Sequence, residues 1–147
     1  MTTILVSSTR ESTGKTAIAL ALASIADEAG HDVGYMKPKG TRIESTVGKT
    51  RDKDPDLARE VLGLDADMAQ LEPIIYSRMF AQEAIRGRED PAERRERVAD
   101  QYETLAADCD VMILEGSNRP QTGEIIDLTD PDVADLLDAE AVLVSEY

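Results

Sequence analysis

Residues 3–16 read TILVSSTRESTGKT, and an Ala/Leu-rich stretch, AIALALA, runs on from them. A short apolar run opens into a loop of small polar residues, closes on Gly14-Lys15-Thr16 and continues as a helix. Strand, loop and helix in that order are the context that a phosphate-binding loop requires. The loop's backbone N–H groups and the helix N-terminus point at an anion, and Lys15 adds a charge able to follow β- and γ-phosphates. Thr16 offers a hydroxyl to Mg²⁺, a hard ion that prefers oxygen ligands. Thr13, Gly14, Lys15, Thr16 and Ala17 are the candidate nucleotide contacts, and a nucleoside triphosphate is the expected ligand. Where the usual pattern has its first glycine this chain has Thr9, but Gly14, nearest the phosphate, is kept.

A second Gly-Lys-Thr occurs at 48–50. It follows Thr41-Arg42-Ile43-Glu44-Ser45, which has no strand pattern, and precedes the charged run Arg51-Asp52-Lys53-Asp54-Pro55. This copy is expected in a loop, without a nucleotide.

The chain has 147 residues, 41% of them hydrophobic, which is enough for one domain with a real core. No run of eighteen apolar residues exists, so no membrane span is expected. The lone Cys109 has no internal disulfide partner and no secretory signal is visible, so a reducing cytoplasm is the expected compartment. Thirty acidic residues against sixteen basic ones give a formal charge of −14, which argues against a nucleic-acid partner. The acids are spread along the chain, Arg outnumbers Lys, and bulky apolar residues are scarce. That profile resembles proteins of an extremely salty cytoplasm, where a densely charged surface maintains solubility.

Periodicity gives alternating strands and helices. Strand Thr3–Ser7 is followed by a helix over Gly14–Ala29, stopped by Gly30, and by a strand over Asp32–Lys37. A long polar loop is expected from Lys39 to Asp54. Asp54-Pro55 reads as an N-cap with proline at the first helical position, opening a helix through Leu62. Leu71–Tyr76 is ambiguous, with Ile74-Ile75-Tyr76 able to pair at an edge. Helices are expected over Arg78–Ile85 and, with a clear apolar stripe through Val98, Tyr102 and Leu105, over Asp90–Ala107. Val111–Leu114 is the continuous apolar run of a central parallel strand. Ile125-Ile126, a short helix over Asp130–Leu137 and a strand over Ala141–Ser145 complete the order. The expected fold is α/β, a mainly parallel sheet flanked by helices. Because the last pattern is a strand with no helix after it, the chain is expected to be the N-terminal part of a longer protein.

Three further features bear on chemistry. Glu115 directly follows the buried run and precedes Gly116, so a carboxylate at the end of a central strand would stand beside the phosphate loop and hold Mg²⁺ or its water. Lys37, in Tyr35-Met36-Lys37-Pro38, would project over the same sheet edge as Lys15. Two ammonium groups at one site suit a reaction in which charge develops on transferring phosphoryl oxygens. Of Asp52, Asp54 and Asp56, one is a candidate further metal ligand, although Asp54 has an equal claim as a helix cap. Arg10, inside the loop, is a surface residue unless it reaches a partner's phosphates in a dimeric switch. His31 and Cys109 are expected to be structural.

Together SSTRESTGKT, VGYMKPKG, DKDPDLAREVLGL and VMILEGSNRP resemble the dethiobiotin synthetase-like family of P-loop proteins. The likeness is greatest to the version that forms the N-terminal region of some phosphate acetyltransferases and their stand-alone archaeal relatives. The resemblance implies that Lys15 and Lys37 serve the phosphates and the reacting carboxylate or carbamate. It also implies that Thr16, Asp54 and Glu115 hold Mg²⁺, with ATP as the nucleotide and a homodimer as the assembly. An acceptor oxygen would then attack the γ-phosphate. Ser117-Asn118-Arg119-Pro120 and Lys39-Gly40-Thr41 depart from the synthetase pattern on the acceptor side, so the small-molecule acceptor stays unidentified. The alternative is a non-catalytic domain that senses nucleotide and regulates an attached phosphate acetyltransferase-like protein.

Overall fold

The computed structural model describes residues 1–11, 14–40, 44–46 and 49–146, with the backbone alone for 44–46 and 49–51. The central sheet has four parallel strands: β1 (Thr2–Ser8), β2 (Val33–Met36), β7 (Val111–Glu115) and β8 (Glu140–Val144), in the order β2-β7-β1-β8. The loop-bearing strand β1 is therefore interior, while β2 and β8 form the edges. Residues alternate between the two faces, as the pleat requires. Val6, Tyr35 and Ile113 pack beneath α1 (Lys15–Glu28), α2 (Lys53–Leu62) and α3 (Met68–Leu71). Leu5, Met36, Met112 and Leu114 face the other layer, built from α4 (Arg78–Ile85), α5 (Pro91–Ala106) and α6 (Asp130–Leu136). This is an α/β fold with both faces of a parallel sheet covered, which explains why β7 is apolar throughout.

Local chemistry accounts for most boundaries. In α1, Ala19 and Ala23 are fully buried against the sheet, and their small side chains let the helix come close. The helix stops where Gly30 takes φ +90°, a conformation that glycine adopts without strain. Asp90 caps α5 through the Ala92 N–H, with Pro91 in its first turn, and Ser77 caps α4 through the Phe80 N–H. Across the sheet end, Thr3 and Tyr102 hydroxyls hydrogen-bond at 2.5 Å, tying β1 to α5.

Two expectations are corrected. The segment after Lys39 is not simply loop. Lys39–Gly40 forms β3, paired in parallel with β6 (Ile74–Ile75), and Glu44–Thr46 (β4) pairs antiparallel with Lys49–Arg51 (β5). The second Gly-Lys-Thr thus has its Lys49 and Thr50 in a hairpin strand, while Gly48 lies outside the described residues. The cap of α2 is Asp52, not Asp54: Asp52 accepts from the Asp54 N–H at 3.0 Å, and Pro55 is the third helical residue. Proline is tolerated there because the first four N–H groups of a helix have no intrahelical partner. His31 is exposed, 3.8 Å from Asp110, and Cys109 is part-buried with its thiol donating to the Leu105 carbonyl. No described helix is long and apolar enough to cross a membrane.

Candidate functional site

At the carboxyl end of β1 the chain turns out of the sheet. Thr9 N–H is still held by the Val144 carbonyl of β8, and the Ser8 hydroxyl donates to the Arg10 carbonyl. Gly14 then enters α1 with φ +84°, and a Cβ there would meet nothing within 4 Å, so glycine is needed for its conformation and not for space. No side chain caps α1, which leaves its first N–H groups directed at whatever lies beyond the loop. Lys15, the first helical residue, is buried yet makes no hydrogen bond or ion pair among the described residues. Burial lowers its pKa; the Glu115 carboxylate opposes that shift, and the Lys37 charge adds to it. A desolvated ammonium beside an uncapped helix N-terminus is a site built for an anion. Ala17 sits one turn in, on the exposed side of the same helix start. Thr13 lies outside the described residues.

Glu115 ends β7, between β1 and β2, and is completely buried. The Thr16 hydroxyl donates to its Oε1 and the Tyr35 hydroxyl to its Oε2, both at 2.5 Å. Burial raises the carboxyl's pKa, Lys37 draws it back, and the two hydroxyl bonds favour the ionised form. Tyr35, buried in turn, has its phenol pushed well up by desolvation and by Glu115, so it stays a donor. Thr16 and Glu115, predicted to act together, are in direct contact.

Lys37 follows β2 and is 1% exposed. Its Nζ donates to Asp52 Oδ2 at 2.6 Å and to Asp54 Oδ2 at 2.9 Å. Burial alone would lower its pKa, but Glu115 and Asp52 together raise it, so the group is a firm cation. The structure thus brings Lys15, Thr16, Lys37, Asp54 and Glu115 to one sheet edge, with Asp52 as an addition. Among the described residues no three His, Cys, Asp or Glu side chains group closely enough to hold a metal by themselves. The oxygen donors fit Mg²⁺, which keeps several waters and takes one or two carboxylates together with substrate phosphates.

Sequence reasoning missed two groups. Lys39, in β3, is buried, donates to the Thr122 carbonyl at 2.6 Å and lies 3.6 Å from Asp130. Desolvation brings its pKa down to about 8, against the pull of Asp130. Asp130 opens α6 and also accepts from the Ser7 hydroxyl (2.6 Å) and the Ser117 N–H (3.2 Å), which fastens the 117–130 segment to the end of β1. Of the five lysines, Lys15, Lys37 and Lys39 are buried here, and no pattern along the chain marks Lys39 as one of them. The other missed group is Glu72, buried beside Asp52 with its carboxyl pushed up to about 8. A separate polar cleft of about 630 Å³, between α2 and the start of α3, is lined by Asp56, Arg59 and Asp67 and includes none of these residues.

A family model described as an AAA domain matches residues 2–147, and the chain belongs to that P-loop NTPase family, which includes dethiobiotin synthetase-like proteins.

Proposed function

From membership of that family, we propose that this chain binds ATP with Mg²⁺ on the loop closing at Gly14-Lys15-Thr16. We further propose that it catalyses transfer of the γ-phosphoryl group to a carboxylate- or carbamate-type acceptor. The supporting observation is the convergence of two buried ammonium groups, Lys15 and Lys37, on Glu115, which Thr16 already touches. The phosphates lie along the α1 N-terminus with Lys15 against them. Lys37 has one N–H left after Asp52 and Asp54, and directs it at the transferring group or at the acceptor oxygen. Thr16, Glu115 and Asp54 are the residues that would hold Mg²⁺, which when bound offsets charge on the β- and γ-oxygens. The acceptor oxygen forms its bond to the γ-phosphorus as the bond to the β,γ-bridging oxygen breaks and ADP leaves. Catalysis of this kind is chiefly positioning and charge stabilisation.

Titration calorimetry of ATP, with and without Mg²⁺, in concentrated KCl tests the binding half. Metal-dependent binding by the wild type, lost in Lys15→Ala, is expected; no binding by the folded wild type would refute the reading. Phosphate release separates the two halves. Lys37→Ala should abolish turnover while ATP still binds, whereas a wild type that binds ATP with no turnover on any carboxylate or carbamate acceptor would favour a nucleotide-sensing regulatory domain.

A further inference from the structure

Glu72 follows α3 and leads into β6, and it is 6% exposed. Its carboxyl makes no hydrogen bond or ion pair among the described residues, which is unusual for so buried a group. Its location is fixed by Gly40 of β3. A Cβ on Gly40 would fall 1.3 Å from Glu72 Oε1 and 3.0 Å from Asp52 Oδ2, so the two carboxyl groups are neighbours over one glycine. Asp52 is the residue that holds Lys37 at 2.6 Å. The charged groups that act on Glu72 are Asp52 and Asp54 at the start of α2, Lys37 after β2 and Glu115 at the end of β7.

Asp52 and Asp54 therefore hold Lys37 directly, Glu115 acts on the same ammonium, and Glu72 stands beside Asp52. Every carboxylate that ionises there draws Lys37 inward and adds negative charge to a site meant for polyphosphate. We propose that Glu72 is a positioning residue: through Asp52 it sets how far Lys37 is released from its own carboxylates toward an incoming phosphate. A neutral Glu72 can donate its O–H to Asp52, and so takes over part of the hydrogen bonding that Lys37 gives up. An ionised Glu72 can only repel Asp52 and the phosphate and hold the ammonium back. Burial, followed by the charge of Asp52, keeps the carboxyl protonated up to about pH 8, so the neutral form is the resting one at neutral pH. The inference rests on the reading that Lys37 serves the phosphates.

The test is Mg²⁺–ATP affinity, by calorimetry on the whole chain from about pH 6.5 to 9, for the wild type, Glu72→Gln, Gly40→Ala and Lys37→Ala. Wild-type affinity should weaken about five- to tenfold as pH rises through the titration of Glu72. Glu72→Gln, which mimics the neutral acid in size and as a donor, should keep the low-pH affinity throughout. Gly40→Ala, whose methyl group displaces the Glu72 carboxyl, should bind weakly at every pH without the step; circular dichroism checks that it folds. A step that persists unchanged in Glu72→Gln, or a wild type without one, overturns the inference. If Lys37→Ala binds and turns over like the wild type, the reading of Lys37 itself has failed. A defective Lys37→Ala beside an unaltered step in Glu72→Gln sinks only the role of Glu72.

Discussion

Tyr35 is fully buried, and its hydroxyl is one of two that bond Glu115. Tyr35→Phe keeps the ring packing and removes one donor from a buried carboxylate, which should cost about 1–3 kcal/mol in urea denaturation. Because the lost bond favours the ionised form, the Glu115 carboxyl should rise further, and Mg²⁺–ATP affinity should fall away at a higher pH than in the wild type. Glu72 gives a second prediction, on stability. In the unfolded chain this carboxyl ionises at the ordinary value of 4.5, and in the native state only at about 8. Between those values the native state holds a proton that the unfolded state has released, so the contribution falls as pH rises through the window and the cost is complete above 8. Glu72→Gln does not titrate. Its stability relative to wild type should therefore be greater at pH 8.5 than at pH 5, by up to about 4 kcal/mol in chemical denaturation.

At the scale of elements, the start of α2 does two tasks with one residue. Asp52 caps the helix and holds Lys37. Asp52→Ala should lose both, at a cost approaching the ~3–5 kcal/mol of a broken buried pair, moderated because Asp54 still accepts from Lys37. Asp52→Asn can still cap, so its denaturation midpoint should correspond to about 1 kcal/mol more stability than Asp52→Ala. Elements with strong local signals were legible from sequence alone: Arg78–Ile85 matches residue for residue, and Asp90-Pro91 marked the start of α5. The pairing of Lys39–Gly40 with Ile74–Ile75 was not, because a two-residue polar strand carries no periodicity and its partner is 35 residues away. Asp54-Pro55 misled because proline fits any position in the first helical turn, not only the first. Lys15, Thr16, Lys37 and Glu115 were legible since each ends a strand or opens a helix beside one. Glu72, Lys39 and Asp130 acquire their meaning only from what the fold sets against them, and no spacing along the chain encodes that.

For the whole molecule the dominant quantity is the charge of −14. Self-repulsion among surface acids opposes compactness and is screened by salt. The thermal midpoint should rise as KCl goes from about 0.1 M to about 1 M, where the screening length is near 3 Å. Further salt should then act mainly by strengthening apolar burial. A midpoint independent of KCl would remove the case for adaptation to a salty cytoplasm. The buried charges around Lys37 should respond little, since screening acts on exposed groups.

The strand order β2-β7-β1-β8 is also a ruler. Strands lie ~4.8 Å apart, so β2, which presents Lys37, is ~10 Å from β1, which feeds the loop, and β7 with Glu115 marks the midpoint. That span is set by backbone hydrogen bonds and is indifferent to side-chain substitution. Lys15 and Lys37 close much of that span with their own side chains, so whatever lies between them faces the Glu115 carboxylate. The triphosphate and cation proposed for this site would meet that negative charge with the cation's own.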